Sequence, residues 1–199
     1  MINFHPDIQE LVENQRFIEA LYFGVMEQQS NPSSELHLNL GISCCATIKP
    51  IADIERYLKD RTSYEETSSF VNPVVDVEGL GVVRSTMLVN EGLHHFLQAK
   101  RLNPQIQVPD SLKPITITII QDLQDYLRQE FQGYSTSLLE YKLRIAGLAA
   151  TVLLCELQGD NPKEKIKLYQ NAIDSAYELI SKLFATDNKQ SFFYALNSS

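Results

Sequence analysis

Glu91 and His94 are the pair of residues in this 199-residue sequence whose types and spacing most directly suggest chemistry. Glu-x-x-His is the spacing that di-iron carboxylate bundles use, because both side chains then project to one side of a helix. Such a site needs a second copy of the motif, and the sequence contains none. A helical wheel also places Glu91 roughly opposite the apolar face that Val82, Leu93 and Phe96 define. The pattern therefore favours a solvated helix face over a metal site.

His95 follows His94 directly and completes a candidate ligand or metal site formed by Glu91, His94 and His95. Adjacent residues point to different sides of a helix, so the two imidazoles are not expected to chelate one ion together. A cavity between helices at this place would suit a small-molecule-binding or metal-dependent bundle enzyme. We predict no cofactor, since the sequence has neither a convincing metal cluster nor a phosphate loop.

Cys44 and Cys45 form a vicinal pair without CxxC spacing. A nucleophilic cysteine needs a base within hydrogen-bond reach, and His37 is the only histidine nearby in sequence. On a helix, positions 37 and 44 are two turns apart, about 10–11 Å, so His94 or His95 would have to approach through folding. The sequence therefore predicts small buried apolar residues rather than a catalytic cysteine.

The segment from Val74 to Arg84 has the order strand, Gly-x-Gly, helix. Arg84 stands where the dinucleotide-binding fingerprint has its third glycine, and no further βαβ unit follows, so we predict that Gly79 and Gly81 are turn residues. The alternative is an anion site at the N-terminus of the following helix, formed by Gly79, Gly81, Arg84 and Ser85.

Most of the chain has helical periodicity, with breaks at prolines and glycines. The segment 35–48 also shows strand-like alternation at Leu36, Leu38 and Leu40, but a strand needs a partner. The one weak candidate, at 74–77, more readily leads into a helix, so we predict helix and expect Pro50 to end it. Helices are predicted at 6–29, 35–48, 51–61, 80–101, 114–131, 137–157 and 162–185.

The segment 137–157 is predicted to be a buried central helix. Ser137 and Glu140 have capping-box spacing, and Gly159 occupies the expected left-handed position after the helix. The uncharged run from Ile145 to Cys155 is shorter than the ~20 residues of a membrane span. With 162–185 this helix should form an αα-hairpin in an all-α bundle of about six to seven helices, a single domain over 1–199.

Two further segments are predicted to lie outside the bundle helices. Residues 62–73 are rich in Ser, Thr and Glu and should form a mobile polar loop. The tail 186–199 carries Phe192, Phe193 and Tyr194, which are candidates for an interaction surface.

Charge and cysteine usage narrow the class of partner. A net charge of −8 disfavours nucleic acid, whose binding depends on Lys and Arg neutralising phosphates. Three cysteines and an N-terminus without the pattern of a signal peptide indicate a cytoplasmic protein that does not act at a membrane.

The leading functional prediction is a non-enzymatic adaptor or regulatory protein that acts through protein–protein contacts, including a possible homodimer. The first alternative is a bundle enzyme or small-molecule-binding protein with its site near Glu91, His94 and His95. The second alternative is a secreted bacterial effector.

Overall fold

The structure is a computed structural model in which residues 7–62, 75–130 and 138–159 are described, and over these ranges the chain is predominantly helical. This confirms the broad all-α prediction. The loop 62–73 beyond Thr62, the helix 162–185 and the tail 186–199 lie outside the described residues. The elements of the described part are α1 Ile8–Glu13, α2 Phe17–Gln28, α3 Ser34–Thr62, β1 Val75–Val77, β2 Gly81–Val83, α4 Ser85–Leu102, α5 Lys113–Glu130 and α6 Leu138–Leu157.

The prediction of one helix over 6–29 is wrong, because the chain turns sharply between α1 and α2. Gln15 has a φ of 57°. The N–H of Gln15 donates to the Val12 carbonyl at 2.9 Å, and the N–H of Arg16 donates to the Leu11 carbonyl at 2.8 Å. These two bonds form a Schellman motif, which normally has glycine at the left-handed position. With glutamine there, the sequence carries no signal for the break.

The prediction that Pro50 ends a helix is also wrong. Pro50 lies inside α3, which runs unbroken for 29 residues through both predicted helices, 35–48 and 51–61. Proline removes only the hydrogen bond to the Ala46 carbonyl, and burial of Ile48 and Ile51 on either side holds the helix together. This helix contacts α1, α2, α4, α5 and β1. It is therefore the element against which most of the described chain packs.

Residues 75–83 form a β-hairpin, where the sequence was expected to lead into a helix starting near residue 80. Val75 pairs with Val83 and Val77 with Gly81 in an antiparallel ladder. Gly79 and Gly81 have φ of 86° and 71°. Gly79 lies in the turn, as predicted, whereas Gly81 is the first residue of β2. The strand that pairs with 75–77 is thus 81–83, for which helical periodicity predicts the first turn of a helix. That helix begins at Ser85.

Glycines allow α3 and α4 to approach closely. A Cβ on Gly41 would lie 2.5 Å from the ring of Phe96, and a Cβ on Gly92 would lie 2.9 Å from the Cys45 sulfur. Neither position has room for a larger side chain without movement of its neighbours. This contact fixes the relative position of the residues that α3 and α4 contribute to the candidate site.

The second half of α6 is mostly apolar, and several of its side chains are buried in the core. Gly147 meets Leu127 of α5, whose Cδ2 would lie 2.4 Å from an added Cβ, and Gly159 has the left-handed φ of 68°. Ala150 and Leu154 are fully buried. The predicted capping box at Ser137 lies outside the described residues.

Candidate functional site

A pair of buried histidines lies at the contact of α3 and α4. Nδ1 of His37 and Nδ1 of His95 are 2.9 Å apart, and their side chains are 4% and 5% exposed. One imidazole must carry its proton on Nδ1 and donate it, while the other accepts. His95, one of the predicted site residues, therefore forms a hydrogen bond with His37. From the sequence alone, His37 was considered only as a possible base for the cysteines.

His94 and Glu91 do not join this pair. Both are exposed on α4, which agrees with the expected solvated face, while His95 is buried next to them. The His94 and His95 ring centroids are 5.7 Å apart. No group of three or more His, Cys, Asp or Glu suited to a metal ion occurs within 7–62, 75–130 and 138–159.

The surroundings keep both buried histidines neutral. Burial, together with the nearby His37 and His94, lowers the pKa of His95 from its ordinary 6.5 to about 4. Burial also lowers the pKa of His37, again with a contribution from His94. A neutral, hydrogen-bonded imidazole pair thus joins α3 and α4.

The cysteines of α3 are structural. Both are buried, and burial raises the pKa of the Cys45 thiol to about 12 and raises that of Cys44 as well. A thiol in this state is a poor nucleophile at neutral pH. These facts agree with the prediction of small buried apolar side chains.

The N-terminus of α4 already holds an anion, the side-chain carboxylate of Glu55 from α3. Glu55 accepts from the Ser85 N–H at 3.0 Å and from the Ser85 hydroxyl at 2.5 Å, and Tyr126 donates its hydroxyl proton to that same Ser85 oxygen at 3.2 Å. An external anion bound by Gly79, Gly81, Arg84 and Ser85 would have to displace this carboxylate. No local pattern in the sequence indicates this contact, because 30 residues separate its partners.

One face of α2 is apolar and exposed. Ile18, Tyr22, Val25 and Met26 are each between 39% and 48% exposed. They occupy positions i, i+4, i+7 and i+8, which lie within about 100° of arc on a helix. The opposite face, with Ala20, Leu21 and Gly24, is buried against α3. We call the four exposed residues the α2 stripe.

A recess of about 300 Å³ adjoins the N-terminal end of the α2 stripe. Ile18 forms part of its wall, and Ala46 and Pro50 of α3 lie in the lining. The lining is mixed: Phe17, Ile18, Ala46 and Pro50 are apolar, and Gln15, Arg16, Glu19 and Thr47 are polar.

A second cavity, of about 220 Å³, is polar and lies between α1, the start of α3 and the connection from α4 to α5. Its polar lining consists of five side-chain amides and one carboxylate, from Gln9, Asn39, Asn103, Gln105, Gln107 and Glu35. Asn39 is 5% exposed, and its Oδ1 has no hydrogen-bond partner. Sequence reasoning missed this cavity because amides dispersed over 100 residues make no motif.

The remaining predicted interaction residues, Phe192, Phe193 and Tyr194, lie outside the described residues. Within the described ranges, no helix has the length and apolar character needed to cross a membrane. Comparison with known proteins found no match to any family model, curated protein or solved structure.

Proposed function

We propose that this chain is a non-enzymatic protein-binding module of adaptor or regulatory type, and that the α2 stripe is its contact surface. The observation that carries the proposal is the exposure of Ile18, Tyr22, Val25 and Met26 on one side of a helix whose other side is buried. Contiguous apolar surface of this kind on a folded protein usually marks an interaction site.

The occupant that we propose is an amphipathic helix of a partner protein. A stripe about 100° wide matches the apolar face of one such helix, which binds through residues spaced by three and four positions. The recess beside Ile18 offers a place for one anchoring side chain, and anchors of this kind contribute most of the binding energy in many interfaces. A second copy of this chain also presents such a helix, which keeps the homodimer within the proposal.

The buried groups support a binding role over catalysis. His37 and His95 are paired with each other, and the three free cysteines, Cys44, Cys45 and Cys155, are all buried. Free thiols also support a reducing, cytoplasmic compartment as part of the proposal.

The proposal is tested by comparing three tagged forms of the chain in cells of the source organism: wild type, Met26→Lys and Leu97→Lys. Leu97 is a matched control, since it is an apolar residue 51% exposed on α4. One protein, or a second copy of the chain, should co-purify in near-equal amount with the wild type and the control and be lost from Met26→Lys. Equal recovery with all three forms would contradict the assignment of the surface.

A further inference from the structure

The amide-lined cavity is separate from the α2 stripe, and its lining contains one carboxylate, that of Glu35. The Nε2 of Gln9 donates to the Glu13 carboxylate at 2.9 Å. The Oδ1 of Asn39 has no partner. A buried acceptor without a donor destabilises the fold, so such a group in a native structure calls for an explanation.

Glu35 gives the cavity a negative charge that no described Lys or Arg balances with an ion pair. Hydrogen bonds from its own backbone N–H and from the hydroxyls of Ser34 and Ser33 lower the pKa of this carboxyl, so it is ionised at neutral pH. The other polar lining groups are neutral amides. Among the described residues that line it, the cavity thus has one carboxylate, five side-chain amides and no cationic side chain, and the Oδ1 of Asn39 accepts no hydrogen bond.

The rest of the lining is apolar, from Leu38, Ile106 and Pro109. These side chains can contact a short aliphatic chain but cannot satisfy a second charge. The volume of about 220 Å³ lies below the roughly 300–1,000 Å³ of ordinary ligand pockets, which restricts the occupant to a small group.

We propose that this cavity binds a short alkyl chain that ends in a guanidinium or primary ammonium group. The cation would pair with the Glu35 carboxylate and donate to the amide oxygens of Gln9 and Asn39, while the methylenes contact Leu38 and Ile106. Asn39 is buried, so its amide has to turn toward the ligand, and the broad torsional minimum of an asparagine side chain permits this. The same chemistry is presented by a free alkylamine and by an arginine or lysine side chain of a peptide.

The test is a titration of the full chain followed by ¹H–¹⁵N NMR, with n-butylguanidine, n-butylamine, n-butanol and butyrate as probes. The two cations should shift the Asn39 side-chain amide and the Gln105 backbone amide in a saturable way. A ligand of so few atoms is expected to have a Kd of roughly 1 mM. Glu35→Gln should raise this Kd about two- to fivefold, the weakening expected when one partner of an exposed ion pair is removed. The matched control Glu10→Gln removes the same charge from an exposed position on α1 that does not line the cavity, and it should leave the Kd unchanged.

A parallel titration with N-acetyl-arginine methylamide separates the two sources of the ligand. Tighter binding of this capped residue than of n-butylguanidine supports the proposal and assigns the site to a peptide side chain, whereas weaker binding supports it and assigns the site to a free amine. The proposal is overturned if neither cation gives saturable shifts up to about 50 mM, well above the expected Kd. It is also overturned if n-butanol binds equally well, or if Glu35→Gln behaves like Glu10→Gln.

Discussion

The buried pair of His37 and His95 makes the stability of the fold depend on pH in a range where few other groups titrate. The folded-state pKa of His95 is lowered to about 4, from 6.5 in its ordinary state. Between these values the unfolded chain binds a proton that the folded chain does not. The stabilisation is therefore complete above pH 6.5 and is lost as the pH falls toward 4.

The size of this loss follows from the two pKa values. Each unit of difference between the unfolded and folded pKa corresponds to about 1.36 kcal/mol. The unfolding free energy should therefore fall by about 3 kcal/mol in all once the pH is below both values. Between pH 7 and pH 5 the part due to His95 is about 2 kcal/mol. His37, whose pKa burial also lowers, adds to the loss in the same direction.

The measurement is urea unfolding followed by circular dichroism at several pH values between 5 and 7.5. The double variant His37→Leu with His95→Leu replaces both hydrogen-bonding partners by apolar side chains, so it should remain folded and lose most of the pH dependence. His94→Gln is the matched control. It removes an exposed imidazole from the same helix and should retain most of the slope.

Unfolding free energies that change by less than about 0.5 kcal/mol between pH 7 and pH 5 would refute the reasoning, since the buried pair then could not be neutral in the way described. The same conclusion follows if the double leucine variant keeps the full slope. In that case the titrating groups would lie elsewhere in the chain.

Two further predictions concern other residues at the contact of α3 and α4. Glu55→Ala removes the acceptor of both the Ser85 N–H and the Ser85 hydroxyl. It should therefore lower the unfolding free energy, measured by urea titration, by about 1–2 kcal/mol. A change near zero would contradict the role of Glu55 as the cap of α4. Cys45 should react with a thiol reagent at pH 8 roughly a thousandfold more slowly in the folded chain than in urea, because burial raises its pKa to about 12 and suppresses the thiolate. Burial also raises the pKa of Cys44, so that thiol should be slowed in the same direction. Fast labelling of the folded chain would show that these thiols are accessible.

The sequence predicted those features whose signal lies in residues close together in the chain. Examples are the helical periodicity of α4 and α5 and the glycines with left-handed φ at 79, 81 and 159. Two local rules failed. Proline usually ends a helix, but the burial on both sides of Pro50 outweighs one lost hydrogen bond. Glutamine rarely adopts a left-handed conformation, so the break at Gln15 had no signal.

The candidate site was harder to predict from the sequence, because its contacts join residues that are far apart in the chain. His37 and His95 are 58 positions apart, and only the packing of α3 on α4 brings their nitrogens together. The α2 stripe is a similar case, because α2 packs on α3 through its opposite face. Periodicity shows that a helix has an apolar face, but it does not show whether that face is covered.

Site-specific photo-cross-linking tests the proposed binding surface most directly. A photoreactive benzoyl-phenylalanine replaces Tyr22, within the α2 stripe, and in a separate variant it replaces Leu97 as a control of similar exposure. Irradiation in cells of the source organism should give one discrete adduct from position 22 and none from position 97, and the adduct mass will distinguish a second copy from another protein. Absence of an adduct at position 22, or equal adducts at both positions, would contradict the account.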